Sequence, residues 1–494
     1  MPHRSSGVLL HPTSLPGPGA SGSLGEAAHD FVRFLSSARQ GVWQILPLGP
    51  PSASDSPYMA TSAFAINPLL LDADDLVRRG WLDAAALRER PARSLRSEFR
   101  RTEQWLAGRV IPAAAAGFEA RATEEERRAF ARFVEEAHWL EDYVLFEALS
   151  EQRRGEIWNQ WPSPLRDREP GALGSVREAL SPRLSELRFV QFALDRQWAA
   201  VRTHANEKGI EVVGDIPIFV GLHSADVWAN RWLFELDADG VPANIAGVPP
   251  DYFSPTGQRW GNPLYRWEAS DASGHAWWNQ RFRWCFRHAD RVRIDHFRGF
   301  EAYRSIPAEA EDATAGAWRP GPGAAFFARV REAIGDLPII AEDLGVITPE
   351  VEALRDGLGL PGMRILQFAF VGEADHPYLP HNYVPRTVVY TGTHDNDTTV
   401  GWYRSLSAVE ADQVRRYLWS SGDNIAWDLI RAAWMSVAGL AVVPAQDLLS
   451  LDGSHRMNVP GVGEGNWSWR LADGALHDGI AAGLRELGSV YGRS

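Results

Sequence analysis

The sequence predicts an α/β fold built as a closed (β/α)8 TIM-type barrel, and three observations predict it. From about residue 276 onward, short apolar runs of strand length alternate with amphipathic runs of helix length. With the runs nearer the N-terminus, about eight strands can be counted, the number that closes such a barrel. Three of the later runs end in acidic clusters: Arg293-Ile294-Asp295-His296, Ala341-Glu342-Asp343 and Gly392-Thr393-His394-Asp395-Asn396-Asp397. A charge at the end of a buried strand is costly unless paired or used, and barrels carry their working groups at strand C-termini. An open doubly wound sheet is the alternative, but no glycine-rich phosphate loop opens a helix here.

Taken in order, residues 42–48 read as a buried strand closed by Gly49-Pro50-Pro51. The loop that follows, with Ser54-Asp55-Ser56-Pro57-Tyr58 and Ser62-Ala63-Phe64, mixes turn formers with aromatic residues. A second strand is expected near residues 64–71. From about 83 to 188 the composition shifts to Ala, Arg and Glu with helical periodicity, which reads as an inserted, mainly helical subdomain. Leu187, Val190, Leu194, Trp198, Val201 and Ala205 mark one face of a helix ending at Gly209, and residues 210–213 form the next strand. An inserted loop subdomain is expected at about 228–270, over the catalytic end of the barrel. Helices at 276–288, 324–334, 349–356, 408–419 and 425–437 then alternate with strands at 291–295, 337–342, 363–368, 387–390 and 440–443. The whole chain, 1–494, is read as one catalytic barrel with these insertions.

Composition excludes several partners. A net charge of −13 with no Lys/Arg block argues against nucleic acid. The lone lysine, Lys208, sits where a helix hands over to a strand, which disfavours Schiff-base chemistry. The single cysteine, Cys285, excludes an intrachain disulfide and a cysteine metal cluster. No run approaches a membrane span, and the apolar stretch at 8–10 is interrupted by His11 and Pro12, so a cytoplasmic protein is expected. The 21 tryptophans suit a large core, and flat rings also suit the C–H faces of sugars.

The carboxylates suggest glycosidic chemistry. Cleavage with retention needs two carboxyl groups about 5–5.5 Å apart, one as nucleophile and one as acid then base. Arg293 and Asp295 share a strand face, and a guanidinium there favours an ionised nucleophile. Glu342 follows the apolar run 337–341, which raises a carboxyl pKa and suits the acid. Asp395, between His394 and Asn396, suits hydrogen bonding to sugar hydroxyls. Any one of these acids could instead cap a neighbouring helix. His11, His296 and His394 could be imagined as metal ligands, but no His-x-His or His-Glu-x-x-His spacing is present, so neither metal nor cofactor is expected.

These clusters resemble three signature regions of the amylomaltase (4-α-glucanotransferase, disproportionating enzyme) family. The resemblance continues through Ser6-Gly7-Val8-Leu9-Leu10-His11-Pro12-Thr13-Ser14-Leu15-Pro16, Trp43-Gln44-Ile45-Leu46-Pro47-Leu48-Gly49-Pro50 and Gly214-Asp215-Ile216-Pro217-Ile218-Phe219. It ends with Ala246-Gly247-Val248-Pro249-Pro250-Asp251-Tyr252-Phe253, Gly257-Gln258-Arg259-Trp260-Gly261-Asn262-Pro263 and Arg456-Met457-Asn458-Val459-Pro460-Gly461. It implies a barrel decorated by insertions and lacking a C-terminal β domain. It also implies Asp295 as nucleophile, Glu342 as general acid/base and Asp395 as transition-state stabiliser. Asp215, Arg293, His296 and His394 would surround the glucose at the cleavage point, and Tyr58, with Ser56 in the same loop, would meet the donor sugar. Gln258, Trp260 and Gly261 would cover the acceptor side together with Tyr252 and Phe253, and Asn466-Trp467 would face the same groove. Family members with a second glucan-binding groove carry an aromatic residue where this chain has Pro51-Ser52-Ala53-Ser54, so that accessory site is not expected in its usual form.

The expected partners are an α-1,4-glucan donor and a glucose or maltooligosaccharide acceptor, on a monomer or weak homodimer. An α-glucan hydrolase and a non-catalytic glucan-binding protein are the alternatives.

Overall fold

The computed structural model describes residues 4–52, 54–250 and 254–493. Twelve strands are formed among them: β1 (Ser5–Leu9), β2 (Val42–Gln44), β3 (Glu211–Pro217), β4 (Asn244–Val248), β5 (Gln258–Pro263), β6 (Arg291–Asp295), β7 (Ala302–Pro307), β8 (Ala317–Pro320), β9 (Ile339–Ala341), β10 (Gly362–Ile365), β11 (Thr387–Tyr390) and β12 (Leu440–Pro444). Eight of them close a barrel in the order β1-β2-β3-β6-β9-β10-β11-β12, every neighbouring pair parallel. Parallel strands covered by helices are buried on both faces and therefore read as continuous apolar runs. Thr387–Tyr390 and Leu440–Pro444 are buried at every position.

The eighth strand is not where the sequence suggested. Residues 64–71 form no strand, and the barrel closes instead through β1, which pairs with β12 on one side and β2 on the other. The backbone of the 64–71 segment is satisfied partly by side chains and partly by single backbone bonds, such as the Asn67 amide to the Leu48 carbonyl and the Leu24 amide to the Leu70 carbonyl, rather than by a strand ladder. Ser62 Oγ accepts from the Phe64 and Ala65 amides, and Gln191 both accepts from the Ile66 amide and donates to its carbonyl. Pro68 then opens a 3₁₀ turn whose Leu69 amide donates to the Asn67 side chain. In β1 the critical residue is Gly7, because a Cβ there would lie 2.3 Å from the Val42 carbonyl oxygen. Only glycine lets β1 approach β2 this closely.

Between β2 and β3 the chain is predominantly helical, ending in the 27-residue helix Ser181–Glu207. That helix carries Gln191 and also Gln197, which bonds the amide and carbonyl of Asp72. The segment 228–270 contributes β4 and β5 to a four-stranded antiparallel sheet, ordered β5-β4-β7-β8. Most large aromatic residues are structural. Trp43, Trp81, Trp158, Trp198, Trp228, Trp278 and Trp434 are fully buried, and the Trp43 and Trp198 ring N–H groups donate to the Leu10 and His288 carbonyls. No helix among the described residues is long and apolar enough to cross a membrane.

Candidate active site

Strand register assembles the acids. Ile294 of β6 pairs with Ala341 of β9, so the next residues, Asp295 and Glu342, leave adjacent strands at the same level. The Glu342 amide donates to the Ile294 carbonyl, and the Glu342 carbonyl accepts from the Phe297 amide. On the other side of β6, Asp215 of β3 pairs with Arg293. Asp395 comes from the turn after β11, with β10 between that strand and β9.

Arg293 is the hub. One guanidinium nitrogen donates to both Asp215 oxygens at 2.9 and 2.7 Å, and the other nitrogen donates to Asp295 at 3.0 Å. Burial alone would lower its pKa, but Asp215 and Asp295 hold it well above the ordinary value. Burial pushes the Asp215 carboxyl up while Arg293 works the other way, so the two make an ion pair inside the barrel. The second Asp215 oxygen also accepts from the Tyr58 hydroxyl at 2.8 Å. The phenol ring stacks on His394, with centroids 5.1 Å apart and planes 13° apart.

Glu342 sits in a different environment. Its side chain is almost fully buried, and loss of hydration pushes its pKa up to about 8, Asp295 adding to that and Arg293 opposing it. Its two oxygens accept backbone N–H bonds from His296 at 2.6 Å and Leu344 at 2.8 Å, which fix its orientation. His296 adopts a left-handed backbone (φ 55°) directly after β6, and this turn brings its amide onto Glu342. Its Nε2 is buried without a hydrogen-bond partner among the described residues, and burial lowers its pKa to about 3, so it stays a neutral imidazole. Trp260 of β5 meets it edge-on at 4.9 Å, so the four-stranded sheet hangs over the end of β6.

Asp395 is held from outside its own turn. Asn458 donates to Asp395 Oδ1 at 2.6 Å, and its own amide donates to the His394 carbonyl. Arg456 donates to the Asp395 backbone carbonyl at 2.9 Å, and His394 Nε2 lies 3.3 Å from Asp395 Oδ2. Sequence reasoning quoted the Arg456–Gly461 stretch without assigning Asn458 a place in the site. The signal was available in the motif, but nothing local says which of its side chains turns inward.

The other expected residues differ in how they relate to the acids. Tyr58, Asp215, Arg293, His296, His394 and Trp260 join the acids through the contacts above. Ser56 and Gln258 act on neighbours: Ser56 Oγ accepts from the Tyr58 amide at 3.3 Å, and Gln258 Oε1 accepts from the Trp260 ring N–H at 3.1 Å. Gly261 follows in a left-handed conformation with φ 79°. Asn466 spends its carboxamide on its own loop, bonding the Val459 amide and the Val459 and Val462 carbonyls. Its neighbour Trp467 reaches the site, 5.9 Å from both Tyr58 and His394. Tyr252, Phe253 and Ala53 lie outside the described residues. The second acids of two clusters are structural: Asp343 binds Arg355, Arg364 and the Met363 amide, and Asp397 binds the Thr398 amide.

Comparison with known proteins gives the same reading along the whole chain. A family model described as 4-alpha-glucanotransferase matches residues 10–476. The 4-alpha-glucanotransferase of Thermus thermophilus is 48% identical over 499 residues, covering 99% of each chain, and that of Synechocystis is 47% identical over 498 residues, covering 99% of this chain and 98% of the other. The amylomaltase from Streptococcus agalactiae, solved in complex with acarbose, superposes with a TM-score of 0.96 at 36% identity, covering 99% of this chain and 100% of that one. A likeness that spans both sequence and fold from end to end places this chain in the amylomaltase, or 4-alpha-glucanotransferase, family.

Proposed function

We propose that this 4-alpha-glucanotransferase moves a segment of an α-1,4-glucan to the 4-hydroxyl of a glucose or glucan acceptor by retaining double displacement. In the first step Asp295 attacks the anomeric carbon, the bond from that carbon to the leaving 4-oxygen breaks, and the Glu342 proton passes to that oxygen. In the second, the acceptor 4-hydroxyl gives its proton to Glu342 as its oxygen attacks the same carbon, and the bond to Asp295 breaks. Asp395 stabilises the charge that develops on the sugar, and Arg293, donating to Asp295 at 3.0 Å, orients the nucleophile.

The observation that carries this reading is the level placement of Asp295 and Glu342 on adjacent strands, one beside a guanidinium and the other in a dry site that raises its pKa. The place of Trp260, edge-on to His296, supports a cover over the intermediate, and such a cover favours sugar over water as acceptor. The test is incubation of the purified protein with maltotriose alone. A ladder of longer maltooligosaccharides with free glucose and little net gain in reducing ends is the expected result. Rising reducing ends with only shorter products would overturn transfer in favour of hydrolysis.

A further inference from the structure

The segment that carries Tyr58 has little regular structure of its own. Between residues 50 and 67 its described residues make only an isolated bridge, Pro51 with Ala60, yet Tyr58 must be held against both Asp215 and His394. Two acids from outside the barrel hold the residues just after it. The Thr61 hydroxyl donates to Glu147 Oε1 at 2.5 Å, from the helix Leu140–Gln152. The Ala63 amide donates to Asp226 Oδ2 at 2.7 Å, from the short helix Ala225–Ala229, whose Ala225 amide also donates to the Thr61 carbonyl. Loss of hydration raises both carboxyls, Glu147 to about 7 and Asp226 to about 6. Placing acids in such sites is costly, and neither belongs to the catalytic set.

We infer that Glu147 and Asp226 are positioning residues of the transfer reaction: together they clamp residues 61–63 and thereby set where the Tyr58 ring and hydroxyl meet the donor sugar. The inference rests on the reading of Tyr58 as a donor-sugar contact. The chemical requirement on Glu147 is an acceptor for the Thr61 hydroxyl, which an amide oxygen also supplies. A 1 Å displacement of a positioned ring is enough to lose binding and rate. The clamp also ties the helical region between β2 and β3 to the reacting centre, which no residue of that region touches through the contacts of Asp295, Glu342 or Asp395 described above.

The test is a set of cycles on maltotriose disproportionation, reading KM, kcat and Tm for Glu147→Ala, Glu147→Gln, Thr61→Val, Asp226→Ala, Tyr58→Ala and the double variant Glu147→Ala/Tyr58→Ala. Glu147→Ala, Thr61→Val and Asp226→Ala are each expected to raise KM by about 5-fold or more with a smaller change in kcat. Glu147→Gln stays within about 2-fold of the parent, because the Thr61 acceptor survives. In the Tyr58→Ala background, Glu147→Ala adds nothing to KM. The inference is overturned if Glu147→Ala lowers Tm with KM unchanged, or if its effect adds in full to that of Tyr58→Ala. A Tyr58→Ala variant with the parent KM would instead overturn the reading of Tyr58 itself. If Glu147→Ala fails to fold, Thr61→Val deletes the same bond from the loop side, and a parental KM there refutes the clamp.

Discussion

Arg293 and Asp215 form a buried pair in which a single guanidinium nitrogen donates to both carboxylate oxygens, leaving the other terminal nitrogen for Asp295. Asp215 therefore fixes the cation that faces Asp295, the proposed nucleophile. Removing one partner of a buried pair costs about 3–5 kcal/mol because the other charge is left uncompensated. Here Asp295 remains as a partner, so the cost falls to the lower end of that range or just below it. Asp215→Ala is expected to lose about 2–3 kcal/mol in chemical denaturation and about 10²-fold or more in kcat/KM for maltotriose. An Asp215→Ala enzyme with parental kinetics would show that Arg293 needs no second acid.

Glu342 links activity and stability through one proton. In the proposed mechanism it is the acid of the first step and must be protonated, and a pKa pushed up to about 8 keeps it so at neutral pH. The basic limb of the kcat/KM profile is expected near pH 8, and a limb near pH 5 would contradict the assignment. The sign for stability is the opposite of that for a salt-bridged carboxylate. A folded pKa above the unfolded value means that the folded state binds the proton more tightly, so stability falls as pH rises from about 4.5 to about 8. Glu342→Gln removes that cost. It is expected to lose about 10²-fold or more in turnover while melting about 1–3 °C higher than the parent at pH 9, with no such gain at pH 4.

Asn458 is the only described side chain other than His394 whose polar atoms meet the Asp395 carboxylate in the bonds above. Asn458→Ala frees that carboxylate to rotate and is expected to lower kcat about 10-fold. Asn458→Asp places a second negative charge at the same distance and loses the donor, so the loss should reach about 10²-fold and ease at low pH. Equal effects of the two substitutions would mean that shape, and not hydrogen bonding, is what Asn458 provides.

The order in which the sequence yields this structure follows from where each signal resides. β6, β9 and β11 were legible because an apolar run and the charge that ends it are local, and the barrel end at which Asp295, Glu342 and Asp395 gather was legible with them. β1 was not, because Ser5, Ser6 and Gly7 are small and polar, and their burial comes from pairing with Leu440–Val442 more than 400 residues away. The apolar segment 64–71 misled for the converse reason: in place of a strand ladder its backbone has scattered partners, among them the Gln191 side chain, 125 residues away from Ile66. The same non-locality separates Asn458 from Asn466. Both are asparagines of one C-terminal loop region, and only the fold sets one against Asp395 and the other against its own loop.

The closing strand also gives a prediction for the chain's end. Arg493 is fully buried, and its guanidinium donates to the carbonyls of Trp434, Ser5, Ala433, Ser436 and Ala438. Arg4 donates to Tyr491 as well as to Trp434 and Ser436, so two arginines cross-link β1 to the turn that leads into β12. Loss of hydration, helped by Arg4, lowers the Arg493 pKa to about 9, yet it remains charged at neutral pH. Arg493→Ala strips the charged donor from these buried carbonyls at the one place where the barrel's first and last strands meet. It is expected to cost about 2–4 kcal/mol in denaturant midpoint analysis. The kcat per folded molecule should stay unchanged, since Arg493 lies on β1's N-terminal side and the acids stand at the strands' C-termini. Arg493→Lys, with one compact ammonium in place of a planar fork, should recover less than half of the loss. A parental midpoint for Arg493→Ala would show that backbone pairing of β1 with β12 closes the barrel unaided.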